Sequence, residues 1–253
     1  GLGTESITLS DTSLAASVLN TLNGNTTGNI NANTVSTLTG SITDLNTVYA
    51  ASAATGDGIS NLGNEAITLS DTSVTDVAAL NTLNGNTTGN IDAGTNVTSF
   101  TGSISDLNTM FAAAGDSGDK IDFGGTGGAA TQTVTITDTT DVSVTDLNTL
   151  NSNTTGNIDA TNVTSLASAS ISDIKTLLTN GNNTTNNFAA TSFQSLATVA
   201  VSGTSISVAD LNDSITQANT ATGGTSTVFS VDSGATITTG DEAAFTTLLT
   251  NED

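Results

Sequence analysis

Twelve residues, LNTLNGNTTGNI, run from Leu19 to Ile30 and again, unchanged, from Leu80 to Ile91. They return from Leu147 to Ile158 with one change, Ser152 in place of a glycine. Such faithful copying constrains the fold more than any other feature. A chain that repeats one step builds units that bury, against their neighbours, what no unit can bury alone.

A shorter signature sets the length of the unit: Ser, apolar, small, Asp, apolar. It reads SITDL at Ser41, SVTDV at Ser73, SISDL at Ser103, SVTDL at Ser143, SISDI at Ser170 and SVADL at Ser207. Degenerate forms are SLAAS at Ser13 and TGDEA at Thr239. The eight starts lie 28, 32, 30, 40, 27, 37 and 32 residues apart, so the longer spacings of 61 and 67 residues between the twelve-residue copies each contain two units.

The signature reads as a helix start. Ser at the N-cap accepts a hydrogen bond from the third helical amide, and an acidic residue there faces the positive end of the helix. Asp44, Asp76, Asp106, Asp146, Asp173 and Asp210 are therefore read as capping residues rather than as an acidic ladder for cations. Apolar residues follow at helical spacing, as in Val74, Val77, Leu80 and Leu83, or Ile104, Leu107 and Phe111. Asn-Gly then stops a helix of two to three turns.

Upstream of each cap is a β-branched run: ITLS from Ile7, VSTL from Val35, ITLS from Ile67, VTSF from Val97, VTIT from Val134, VTSL from Val163, TVAV from Thr198 and TVFSV from Thr227. LNTLNGN then reads as a helix end, and NTTGNI as the turn feeding the next strand. The expected fold is a repeat solenoid in which parallel β-strands are each followed by a short capped helix. Residues 1–253 form a single array of about eight units, regular over 1–175 and degenerate over 176–253. The alternative is a more purely β-solenoid in which the helices are turns. A closed eight-fold barrel is disfavoured, because the strands lack continuous apolar faces.

Composition narrows function. The net charge is -22, with Lys120 and Lys175 the only basic residues. Nucleic-acid binding, which needs several cationic phosphate contacts, is excluded as an expectation. No run is apolar enough for membrane insertion. With neither His nor Cys, the usual general base, thiolate chemistry and the commonest metal ligands are missing. A glycan-cleaving carboxylate pair would lack the aromatic and basic side chains that sugar sites recruit, so no enzyme is expected.

One segment breaks the pattern. GDSGDKIDFGGTGG, from Gly115 to Gly128, carries Asp116, Asp119 and Asp122 among glycines, loosely like calcium-binding Gly/Asp loops. These three are the metal candidates, calcium is the only cofactor considered, and a solvated acidic loop is the competing reading. Sequon-like triplets such as Asn25-Thr26-Thr27 are read as turn residues.

LNTLNGNTTGNIDA, LTGS and SDLNT resemble repeat arrays in large secreted surface proteins of marine cyanobacteria and other marine bacteria, with a looser similarity to cyanophage tail-fibre repeats. The resemblance covers most of residues 1–175. It implies an extracellular or cell-surface location and a structural or adhesive role, sometimes beside calcium-binding repeats. The chain starts at Gly1 inside a repeat, which reads as a processed protein or a piece of a longer array. The expected function is a structural protein forming or belonging to a surface filament, fibre or layer by head-to-tail self-association. The alternative is an adhesin or phage-fibre stalk that meets a surface glycan or receptor.

Overall fold

The computed structural model describes residues 1–53, 58–114, 121–124, 130–182, 187–189, 191–224 and 227–238. Short strands alternate with helices along the chain. The order is β1 (Ile7–Thr8), β2 (Ser13–Ala15), α1 (Ala16–Asn25), β3 (Ile30–Asn31), β4 (Thr37–Gly40), α2 (Ile42–Ala53), β5 (Ile59–Ser60), β6 (Ala66–Leu69), β7 (Ser73–Val74), α3 (Val77–Asn86), β8 (Ile91–Asp92), β9 (Ser99–Gly102), α4 (Ile104–Ala112) and β10 (Ile121–Asp122). It continues with β11 (Thr133–Ile136), α5 (Val144–Asn153), β12 (Ile158–Asp159), β13 (Ser165–Ser170), α6 (Ile171–Asn182), β14 (Thr198–Ser202), β15 (Ser205–Ser207), α7 (Val208–Ala221), β16 (Val228–Val231) and β17 (Thr236–Thr238). The chain divides into two compact units, one of residues 1–101 and 109–132, the other of 102–108 and 133–253.

In the first unit the pairing is parallel throughout. β1, β3 and β5 form one sheet, and β2, β4, β6, β8 and β10 form another in that spatial order. Apolar residues stand in register across it: Leu14 beside Leu38, Leu38 beside Ile67, Ile67 beside Ile91, and Ile91 beside Ile121. In the second unit β11 pairs with β12, β14 lies between β13 and β16, and β15 pairs with β17, again all parallel. These sheets are open, so the class is α/β, with parallel strands alternating with helices. Parallel strands need long crossovers, and the helices provide them.

The capping expectation holds at five of the six Ser-x-x-Asp sites. Ser143 and Ser207 are N-caps whose side chains accept the Asp146 and Asp210 amides. Ser41, Ser103 and Ser170 each accept the corresponding Asp amide while donating to that Asp's own carboxylate. Two sites differ. Ser73 lies in β7, and the cap of α3 is Asp76, whose Oδ1 accepts the Ala79 amide at 3.1 Å. α1 starts from Ala15 with no side-chain cap.

Asn-Gly does not stop these helices. α1 and α3 run through it to Asn25 and Asn86, as α5 runs through Asn151-Ser152 to Asn153, and each ends where Thr26, Thr87 or Thr154 turns extended. The glycine position is helical, which is why Ser152 is tolerated there; its hydroxyl bonds back to the Asn148 and Thr149 carbonyls. The glycine that the repeat does require comes four residues later. A Cβ on Gly28 would run into the Glu5 carbonyl, and one on Gly89 into that of Glu65.

Candidate assembly surface

The metal candidates come first. Asp116 and Asp119 lie outside the described residues. Asp122 is exposed in β10 beside Asp92, and its Oδ1 accepts the Gly124 amide at 2.8 Å, a local turn bond. Among the described residues no group of three acidic side chains could hold a metal ion. None of the described helices is long and apolar enough to cross a membrane.

The helices carry polar contacts that sequence reading missed. In the first unit Asn20 Nδ2 donates to the Asp44 carbonyl at 3.0 Å, and Asn46 Nδ2 to the Ala79 carbonyl at 2.9 Å. In the second, Asn108 reaches the Asp146 carbonyl and Asn148 the Asp173 carbonyl. The asparagines of these four Leu-Asn-Thr triplets thus tie their helices to the backbone of the helix that follows. The constant Asn in that triplet was the signal available. At the matching place in α6 stands Lys175, which bridges Asp210 at 2.9 Å and Asp213 at 2.8 Å instead. These carboxylates hold the Lys175 ammonium above its ordinary pKa.

Among the described residues of the first unit, one carboxyl is buried in the interior. Glu65 is fully buried, and its Oε2 accepts bonds from the Tyr49 hydroxyl and the Gly63 amide, each at 2.9 Å. Burial pushes the Tyr49 pKa far up against an opposing hydrogen bond from Thr87, and nearby Glu65 adds to the rise. This group is sealed from solvent and offers no access to a substrate.

The surface most informative about function is found by comparing two copies of one sequence. Residues 67–73 and 80–91 repeat residues 7–13 and 19–30. The later copy is covered by β4 and α2. Ala66 and Ser70 amides donate to Ser36 and Gly40 carbonyls, Asp71 Oδ2 accepts the Ile42 amide at 2.9 Å, and Asn46 reaches the Ala79 carbonyl. Beneath that cover Ile67, Leu83 and Glu65 are buried. In the earlier copy the matching Ile7 and Leu22 are half-buried, while Glu5 and Asp11 are exposed. Ser17, Val18, Thr21, Leu22 and Asn25 line an open groove on α1.

Among the described residues the exposed large apolar side chains are Leu2 at 53%, Val18 at 56%, Val228 at 62% and Ile237 at 43%. Leu2 precedes β1, its amide bonded to the Asn25 carbonyl, and Val18 lies on α1. The other two lie on β16 and β17. No family model, no curated protein and no solved structure matches the chain, so the reading of this surface rests on its own geometry.

Proposed function

We propose that this chain is an extracellular structural protein, an α/β solenoid segment that forms or belongs to a cell-surface filament, fibre or layer by head-to-tail self-association. The observation that carries this reading is the placement of the four exposed large apolar side chains, Leu2 and Val18 at the earliest elements and Val228 and Ile237 on the latest described strands. Unpaired parallel edges flanked by apolar groups are templates for further pairing. The repeat resemblance supports a surface location. The scarcity of chemistry-bearing residues supports a structural rather than catalytic role, and calcium would act, if at all, through the acidic segment around Asp122.

The test is electron microscopy of the purified protein at low and high salt, with and without a calcium chelator. Regular fibres or sheets are expected. Self-repulsion at a net charge of -22 should make them form more readily as salt screens it. Loss of fibres in chelator would assign calcium a role. Isolated particles under every condition would overturn self-association and favour the adhesin or phage-fibre stalk, which glycan or receptor binding by the monomer would then establish.

A further inference from the structure

We infer that Asn86 and Asn153 are acceptors of an N-linked sugar, each heading an Asn-Thr-Thr triplet that the fold holds out to solvent at the end of a helix. The inference rests on the extracellular reading proposed above and adds a covalent modification, with a neutral carbohydrate as the group attached.

Asparagine two residues ahead of a hydroxyl residue is the acceptor pattern for N-linked sugar. A chain this rich in Asn and Thr shows the pattern often, and the structure sorts the instances by accessibility. Asn96-Val97-Thr98 and Asn162-Val163-Thr164 are closed. Asn96 Nδ2 donates to the Leu69 carbonyl at 2.7 Å and Asn162 Nδ2 to the Ile136 carbonyl at 2.9 Å, and Val97 and Val163 are buried. An amide nitrogen bonded inward beside a buried residue is out of an enzyme's reach. Asn212-Asp213-Ser214 is closed at its other end, because Ser214 is fully buried in α7.

Asn86-Thr87-Thr88 and Asn153-Thr154-Thr155 are open. Both asparagines are the exposed last residues of their helices, α3 and α5, and among the described residues neither side chain makes a hydrogen bond. The turn is held by threonines instead. Thr87 and Thr154 Oγ1 accept the Gly89 and Gly156 amides, each at 2.9 Å, and Thr88 Oγ1 donates to the Gly63 carbonyl at 3.0 Å. Reading these triplets as turn residues therefore fits their threonines and leaves the asparagine amide available. Thr87 and Thr154 are extended, at φ -126° and -131°, so each triplet leaves its helix as open chain that an enzyme can grasp along the backbone. The same triplet ends α1 at Asn25.

In the reaction the bond between the sugar's anomeric carbon and a diphosphate carrier breaks. Asparagine Nδ2 bonds to that carbon and gives up a proton, and the carrier leaves as its diphosphate. The donor is a nucleotide- or lipid-linked sugar, and a separate transferase catalyses the step. The product adds hydrated bulk beside the helix ends without altering the chain's charge.

A soluble N-glycosyltransferase with a nucleotide-activated hexose, offered to the folded chain, tests the assignment. Cleavage after Asp76, Asp92, Asp106, Asp146, Asp159 and Asp173 puts each of the four compared asparagines in its own peptide. Mass spectrometry should find hexose on Asn86 and Asn153 at least tenfold above Asn96 and Asn162. The same reaction on the peptides of a prior digest should label all four. Equal labelling of the four in the folded chain, or none on Asn86 and Asn153, would overturn the inference. Asn86→Gln and Asn153→Gln should each remove one site while circular dichroism stays unchanged. The chain isolated from the cells that make it should carry sugar at both positions. Bare asparagines on a chain found at the cell surface would overturn the inference and leave the extracellular reading standing, whereas a bare chain found inside the cell would overturn both.

Discussion

TLTGSITDLNTVYAA, residues 37–51, and SFTGSISDLNTMFAA, residues 99–113, are close copies whose interiors are completed in different ways. In the earlier copy Leu38 is buried, and Tyr49 sends its hydroxyl to Glu65. In the later copy Phe100 and Phe111 take the places of Leu38 and Tyr49. Together with Phe123 they form an aromatic cluster with ring centroids 5.3 to 6.5 Å apart. Where the earlier copy buries Glu65, the later one buries Gln132, whose Nε2 donates to the Phe123 carbonyl at 3.1 Å. Tyrosine goes with glutamate, and phenylalanine with glutamine. A buried carboxyl needs donors, so it occurs where a phenol supplies one; without the phenol an amide that donates for itself is used.

The comparison breaks hardest at the aromatic cluster. Phe100→Ala should cost about 3–5 kcal/mol, because two edge-on neighbours lose their partner and the cavity cannot collapse onto rigid rings. Leu38→Ala, at the matching place without that cluster, should cost less. Urea unfolding of the two variants measures the difference. Equal costs would mean the cluster adds nothing beyond buried area.

The polar exchange comes next in size. Tyr49→Phe removes one of the two donors to Glu65 Oε2, while Glu65 Oε1 takes no bond from the described residues. A buried oxygen left short of donors costs about 1–3 kcal/mol. Glu65→Gln added to Tyr49→Phe recreates the later copy's pair and should recover at least half of the loss. The reciprocal Phe111→Tyr should destabilise and be eased by Gln132→Glu. A double-mutant cycle with no coupling would show that the two substitutions between the copies are unrelated.

The strand–helix alternation was legible because Ser-x-x-Asp marks a helix start whether or not the rest of the unit is regular. The strands were placed less well for a physical reason. Val35 and Val163, which read as strand residues, are buried in turns whose amides bond back to Ala32 and Ala160. β3, β8 and β12 are two-residue Ile-Asn or Ile-Asp strands, too short to show any alternation. Asn-Gly suggested a stop because glycine tolerates left-handed backbone, yet nothing after it forces the turn until the extended threonine. Self-association was suggested by the repetition, by the resemblance it carries and by the missing chemistry-bearing residues. That β1 has β3 as its partner among the described residues, while β6 is paired with both β4 and β8, was not legible in two identical ITL runs. The coupling of Tyr49 and Phe111 to Glu65 and Gln132 was visible in an alignment of the copies, but burial was needed to give it meaning.

The smallest effect separates the two copies by pH, and only the earlier copy carries a titrating phenol. Burial raises the Tyr49 pKa above its unfolded value of about 10. The folded state therefore holds this proton more tightly, and its stabilising contribution is complete below pH ~10. As the pH rises beyond that, the unfolded phenol ionises first, and stability falls by up to about 1.4 kcal/mol per pH unit. Lys175, raised by its aspartates, adds a fall of the same sign, so the parent must be compared with Tyr49→Phe. Tyr49 is the sole tyrosine, which makes phenolate absorbance a probe of this one group. Absorbance should stay flat through pH 10 and rise together with loss of circular dichroism, and Tyr49→Phe should show a shallower alkaline decline. A phenolate midpoint near 10 in a protein still folded would place Tyr49 in contact with solvent, and the distinction between the two interiors would reduce to packing.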